Sequence, residues 1–393
     1  MVSNAWTGDV ERSADPAAAG RFVDRLIDER PGVIGRLAED RPLRLAVVTV
    51  AAASPYLARV CLTDPAALDV LAQLDHRPEP VDSEPLERWK HRELLRLAAR
   101  DLTGLDPLED VGAGLSRLAD DLVAAAWTRA GEPGELAVIG MGKLGGEELN
   151  YASDIDLLFV GDGDQRSVLD LVRPAWKVDL DLRPEGRSGP LVRTLASYRA
   201  YWDRWAATWE FQALLKARPI AGDTSLGAAW EGEAAARVWG RQFGADELRQ
   251  LRAMKQRAED EVARRGLTDR ELKRGRGGIR DIEFAVQLLQ LVHGRADPGL
   301  RQRATLPALD ALAAGGYVAD DDAAALAAAY RWLRTVEHRL QLWEDTQVYA
   351  VPTSADAQDR LARILGFRDQ PEQTARAAFE RTLRSHQATV RSI

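Results

Sequence analysis

Asp154 and Asp156 stand one residue apart at the head of the apolar run DIDLLFVG, just downstream of the glycine-rich stretch GMGKLGG at 140–146. Side chains on an extended strand alternate faces, so the two carboxylates project to the same side. Carboxylates that close repel each other unless a cation neutralises them, and hard oxygen donors in that arrangement suit Mg²⁺. An isolated D-x-D pair is better explained by a turn cap and a solvated strand end than by metal binding. Here the surroundings argue for chemistry. The glycines of GKLGG let backbone N–H groups approach a phosphate closely, although the stretch lacks the G-x-x-x-x-G-K-[ST] of a Walker loop. A further run, KVDLDLRP at 177–184, brings Asp179 and Asp181 on one face. Three carboxylates from two neighbouring strands beside a glycine turn can hold two metal ions for in-line displacement at phosphorus. Whether Asp179 or Asp181 is the third of them stays open at this level.

Periodicity predicts the elements that must place these groups. Strands are expected at LAVIG (136–140), DIDLLFVG (154–161) and KVDLDLRP (177–184), bounded by the turn formers GEPGE, GDGDQR and PEGRSGP. Helical patterns fill the gaps between them, which makes a small mixed α/β domain. From about Pro16 to Ala130 apolar residues recur at three- and four-residue spacing, so a helical region precedes it, broken by a loop at HRPEPVDSEPLE (76–87). After Gly222-Asp223 the helical pattern resumes to the end, with breaks at 293–299, 314–322 and 351–358. The run YRWLRTVEHRLQLW is strongly amphipathic and makes His338 a partner for neighbouring carboxylates rather than a catalytic group. Trp202, Trp205 and Trp209 are spaced as one helix face, which predicts core packing rather than base stacking. The sequence stops at HQATVRSI inside a helical pattern, an expectation of one part of a longer protein.

Composition excludes several classes. With 393 residues the chain is too long for one ordinary core, so two or three domains are expected. Apolar residues make up 46% and charged residues 29%, as in a globular protein. The net charge of −8 argues against a general nucleic-acid binder. The single cysteine, Cys61, lies in the apolar run YLARVCL and reads as a buried structural thiol in a reducing, cytoplasmic setting. None of the five histidines pairs with another at metal-ligand spacing. No apolar window is long enough to cross a membrane, and the polar, acidic N-terminus is not a signal peptide.

The combined pattern G-x-G-K-L-G-G-x-E-L-N-x-x-S-D-I-D, followed by V-D-L-x-L-R-P-x-G-x-S-G-P-L-V, resembles the glutamine synthetase adenylyltransferase/adenylyl-removing family. WEFQALLKARPIAGD (209–223), ELKRGRGGIRDIEFAVQLLQLVHG (271–294) and the helix around VEHRLQLW fit it too. The resemblance covers roughly residues 90–365 and implies a mainly α fold with an embedded DNA polymerase β-like nucleotidyltransferase sheet, followed by a helical bundle. The domain limits expected on that basis are 1–95, 96–222 and 223–393. Members carry two such halves, one removing AMP from glutamine synthetase and one adding it. Met141, Asn150 and Ile155, together with GRGGIRDIEF, resemble the removing half.

Several roles are implied by that resemblance. Asp154 and Asp156 match the family's metal-binding pair, Asp179 the aspartate of its V-D-x-x-L-R-P motif, and Gly145 and Gly146 its nucleotide-loop glycines. Asp181 falls where many members have arginine. Lys143, Ser153, Arg183, Lys216 and Arg218 are candidates for nucleotide or phosphate contact, with Arg183 equally suited to an ion pair with Asp179 or Asp181. The implied reaction is Mg²⁺-dependent phosphorolysis of adenylyl-tyrosine, with phosphate entering and ADP leaving. Its partners would be adenylylated glutamine synthetase, a PII-type signalling protein, phosphate and ADP or ATP, with no nucleic acid and no membrane. The basic stretch RRGLTDRELKRGRGGIRDIEF ends at a helix start near Ile279, where an anion could sit.

Overall fold

The computed structural model describes residues 4–393. Most of the described residues are helical, and one small mixed sheet lies in the middle of the chain, as the periodicity predicts. The sheet contains β1 (Leu136–Gly140), β2 (Ile155–Gly161), β3 (Val178–Asp179), β4 (Val192–Arg193) and β5 (Arg218–Gly222). Its order is β3-β2-β1-β5, with β4 also paired to β2. β1 runs antiparallel to both β2 and β5, whereas β3 and β4 run parallel to β2. All five residues of β1 are buried, so LAVIG reads as a continuous apolar run because both of its faces are covered. Packed beside the sheet, Tyr198 and Trp202 both meet the fully buried Trp230.

Two of the strand expectations hold closely; the third is cut short. KVDLDLRP forms only the two residues of β3, because the Asp179 carboxylate accepts the N–H of Asp181 at 2.7 Å and turns the chain. β4 and β5 were not foreseen: one is two residues long, and the other, RPIAG, carries the proline that keeps strands at a sheet edge. The tryptophan expectation also fails in part. Trp202 is buried, but Trp205 is 75% exposed and Trp209 37%. Helix Leu195–Arg204 stops at Trp205, and the next helix begins only at Thr208, so the three rings never share a helix face.

The chain divides into two units that interleave in sequence. One holds the described residues through Gly114 with Trp332–His386, and the other Leu115–Arg331 with Gln387–Ile393. This departs from the consecutive segments 1–95, 96–222 and 223–393. The physical reason is long-range pairing that composition along a chain cannot report: in the first unit Arg339 grips Asp101 with two hydrogen bonds of 2.5 and 2.6 Å, and Arg360 reaches Asp15 at 3.2 Å. The same unit buries Arg44 against Asp9 at 2.7 Å. Cys61 is buried there as expected, and burial pushes its thiol up to about 12. No helix of the described residues is long and apolar enough to cross a membrane.

Asp101→Ala leaves the buried Arg339 guanidinium without its carboxylate, and removing one partner of a buried pair costs about 3–5 kcal/mol. The expected outcome is a lower urea midpoint for the first unit, read by a fluorescence probe placed within it.

Candidate functional site

β2 and β3 bring the carboxylates together. Their parallel register sets Asp156 directly opposite Asp179 and Ile155 opposite Val178. Asp154 immediately precedes β2 and accepts a hydrogen bond from Lys177 at 2.7 Å. The glycine stretch closes over this end of the sheet. β1 ends at Gly140, the Met141 N–H donates to the Asp156 carbonyl at 2.9 Å, and a single helical turn follows at Gly142–Gly145. Gly142 has φ +56, and a side chain there would put its Cβ 2.5 Å from Asp156 Oδ2. Only glycine lets the backbone lie so close to that carboxylate.

The electrostatics follow from this crowding. Asp156 is half-buried, and its carboxyl is pushed up to about 7, first by desolvation and then by the negative charge of Asp179, with Asp154 adding to it. Lys143 and Lys273 oppose the shift. This all-oxygen donor set fits a hard divalent cation such as Mg²⁺, because a cation supplies the positive charge that two facing carboxylates lack. Asp154, Asp156 and Asp179 are the residues that could hold it. Among the described residues no group of three His, Cys, Asp or Glu side chains is placed to hold a metal ion as the structure stands, and Asp154 is engaged by Lys177.

The other expected residues fall into two groups. Lys143 lies in the glycine turn and acts on Asp156, while Ser153 bonds the Asp154 carbonyl at 3.0 Å and its own carbonyl accepts the Trp176 indole N–H at 2.8 Å. Asp181 stands apart from the facing pair: its carboxylate accepts from exposed Arg187 at 2.7 Å. The geometry therefore aligns Asp179, not Asp181, with Asp156.

The remaining cations each meet partners within the protein. Arg183 is buried and donates to the carbonyls of Gly189 and Leu180, at 3.0 and 2.7 Å, with Asp181 at 3.8 Å. Lys216 is buried in an ion pair with Glu148. Arg218 binds Asp120 at 2.7 Å and the Leu144 carbonyl at 3.1 Å. Gly145 and Gly146 pack on Lys216: a Cβ on Gly145 would meet the Lys216 carbonyl oxygen at 1.8 Å, and one on Gly146 would meet Lys216 Cδ at 3.0 Å.

Sequence reasoning did not single out Lys177, Lys273 or Glu148. Lys273 lies inside the basic stretch it flagged, so charge clustering was the available signal. Glu148 is a fixed position of the quoted pattern G-x-G-K-L-G-G-x-E-L-N, but nothing local gave it a role, and Lys177 gave no signal, since each becomes informative only when another segment folds against it. The helix start near Ile279 is closed by the protein itself: the Asp281 carboxylate accepts the Gly277 N–H at 2.7 Å and pairs with Lys255 at 2.7 Å.

Residues 81–173 and 172–233 match the family model described as glutamate-ammonia ligase adenylyltransferase, and residues 252–393 match that of GlnD PII-uridylyltransferase. Relatives named bifunctional glutamine synthetase adenylyltransferase/adenylyl-removing enzyme include one from Streptomyces avermitilis, 41% identical over 91% of this chain and 40% of its own length. One from Mycolicibacterium smegmatis is 39% identical over 98% of this chain and 44% of its own length. One from Mycobacterium avium is 44% identical over 74% of this chain and 31% of its own length. The chain thus spans less than half the length of the curated relatives it matches.

The raised Asp156 pKa has a consequence for stability. Folding lifts it from 3.8 to about 7, so the folded state holds this proton more tightly. In metal-free protein the contribution is fully present below about pH 4 and is lost as the pH rises through about 7. Urea midpoints of the parent should therefore fall from pH 5 to pH 8 more steeply than those of Asp156→Asn, and added Mg²⁺ should flatten the parent's slope.

Proposed function

Since the chain belongs to the glutamine synthetase adenylyltransferase/adenylyl-removing family, we propose that it is a nucleotidyltransferase that removes the adenylyl group from glutamine synthetase by phosphorolysis. The observation that carries this reading is the register of β2 and β3, which sets Asp156 against Asp179 beneath a glycine turn that touches Asp156. Two facing carboxylates beside a close-approaching backbone form a site for phosphoryl or nucleotidyl transfer, where positioning and charge neutralisation do most of the work.

In the proposed reaction an oxygen of inorganic phosphate attacks the phosphorus of adenylyl-tyrosine. The bond from phosphorus to the tyrosine oxygen breaks, ADP leaves, and the proton of HPO₄²⁻ ends on the tyrosine hydroxyl. Phosphate is already an anion near neutral pH, so no strong general base is needed. Asp154, Asp156 and Asp179 would hold Mg²⁺, which when bound neutralises charge on the transferred group and on the attacking and leaving oxygens. The chain's own cations, Lys143 and Lys273, act on Asp156 and provide positive potential for the incoming phosphate. The glycine turn orients the adenylyl phosphate through its backbone. Met141, Asn150 and Ile155 support the removing direction. A PII-type protein is the proposed regulator, supported by the 252–393 match to a family named for PII.

A second reading has the same carboxylates transfer AMP forward from ATP, and the bifunctional names of the relatives favour keeping it. One assay separates the two. Purified chain mixed with adenylylated glutamine synthetase, Mg²⁺ and phosphate should release ADP, and Asp156→Asn should slow this by at least about 10²-fold. ADP release unaffected by Asp156→Asn excludes the carboxylate site. Labelling of unmodified glutamine synthetase from ATP, with no response to phosphate, assigns the forward direction instead.

A further inference from the structure

We propose that Lys216 and Glu148 act as a buried clamp that sets the position of the glycine turn over Asp156, so that Lys216 is a positioning residue rather than a phosphate ligand; the inference rests on the nucleotidyltransferase reading above. The clamp joins four segments far apart in sequence. Glu148 ends the glycine stretch, and its N–H donates to the Lys143 carbonyl at 2.9 Å. Its carboxylate accepts from the Lys216 ammonium, from the Thr305 N–H at 2.6 Å, from the Thr305 hydroxyl at 3.1 Å and from the Tyr330 hydroxyl at 3.3 Å. Thr305 opens the helix Thr305–Ala314, which has no side-chain cap from its own N-cap residue, so Glu148 serves as that helix's acceptor. Lys216 also donates to the Thr305 hydroxyl at 3.1 Å.

Contact then passes from the pair to the site. Gly145 rests on the Lys216 carbonyl and Gly146 on its aliphatic stem, so the turn cannot shift without moving Lys216. At the other end of the same turn, Gly142 lies against Asp156 Oδ2. Two residues on, at the first position of β5, Arg218 holds the Leu144 carbonyl in the middle of the turn. Burying an ammonium and a carboxylate is costly, and an apolar pair of similar volume often packs as stably or better. What the ion pair adds is directionality. Four donor bonds onto one carboxylate favour a single arrangement of the turn, whereas apolar side chains would tolerate sliding.

The test uses Lys216→Met, Glu148→Gln and their double variant in the full chain. The expected result is a kcat lowered about ten- to hundredfold in each single variant, as for a small misplacement of a positioning element. KM for phosphate should stay within about twofold, and the double variant should be no slower than the worse single one. Amide hydrogen exchange in the absence of any substrate should speed at least about tenfold over 142–148 in both variants, with 136–140 and 155–161 unchanged. A more than tenfold rise in phosphate KM for Lys216→Met, with exchange unchanged, overturns the proposal and makes Lys216 a phosphate ligand. Exchange that rises across the whole sheet also overturns it, leaving the pair a general stability element. The exchange measurement involves no reaction. If the parent shows no phosphorolysis, it still reads the clamp, and the kinetic arm is run with ATP.

Discussion

Holding Asp156 directly opposite Asp179 is the constraint on which the site is built. A parallel pair of only two residues per strand fixes that register, and two carboxylates then face each other in a partly dehydrated pocket. Left alone, such charges push apart. The fold answers with positive groups from three segments: Lys177 on Asp154, and Lys143 and Lys273 acting on Asp156. The glycine turn is shaped by the same constraint. Gly142 can take a left-handed conformation this close to Asp156 because it has no Cβ; any larger residue would strike the carboxylate.

A second layer of charge fixes that turn from behind. Lys216–Glu148 and Arg218–Asp120 are largely shielded from water, and both emanate from the β5 region toward the turn. Pairs of this kind contribute little net stability for their desolvation, and the role proposed for Lys216–Glu148 is to hold the turn in one geometry. The proposed transfer would depend on close alignment of the reacting groups, which is where such specificity matters. The glycines of the stretch thus serve two ends: Gly142 allows approach to a carboxylate, while Gly145 allows approach to the Lys216 backbone.

The amount of this that was legible from the chain varied with how local each signal was. β1 and β2 announce themselves because LAVIG and IDLLFVG are apolar runs bounded by turn residues, and both are buried on two faces. β3 misled, since the alternation of KVDLDLRP continues past the point where the Asp179 side chain turns the backbone. For the same reason Asp181 looked equivalent to Asp179, although a strand that has ended no longer aligns its side chains. Trp205 misled by three-residue spacing alone: the helix that would have buried it stops there, and the ring is left 75% exposed. Lys216 and Arg218 carried the charge expected of phosphate ligands, but their carboxylate partners lie 68 and 98 residues away in sequence.

Residue type and short-range spacing by themselves determined the chemistry available to this protein: an all-oxygen carboxylate set, a glycine turn built for close approach, and a helical chain around one small sheet. These are properties of a few consecutive residues, and backbone geometry translates them without help. Tertiary structure decided which carboxylate faces which, which cations meet a carboxylate far off in sequence, and how the chain divides into two units that interleave in sequence. Each of those outcomes depends on a partner distant in sequence, and an ion's role in a folded protein is settled by the charge it meets rather than by the charge it carries.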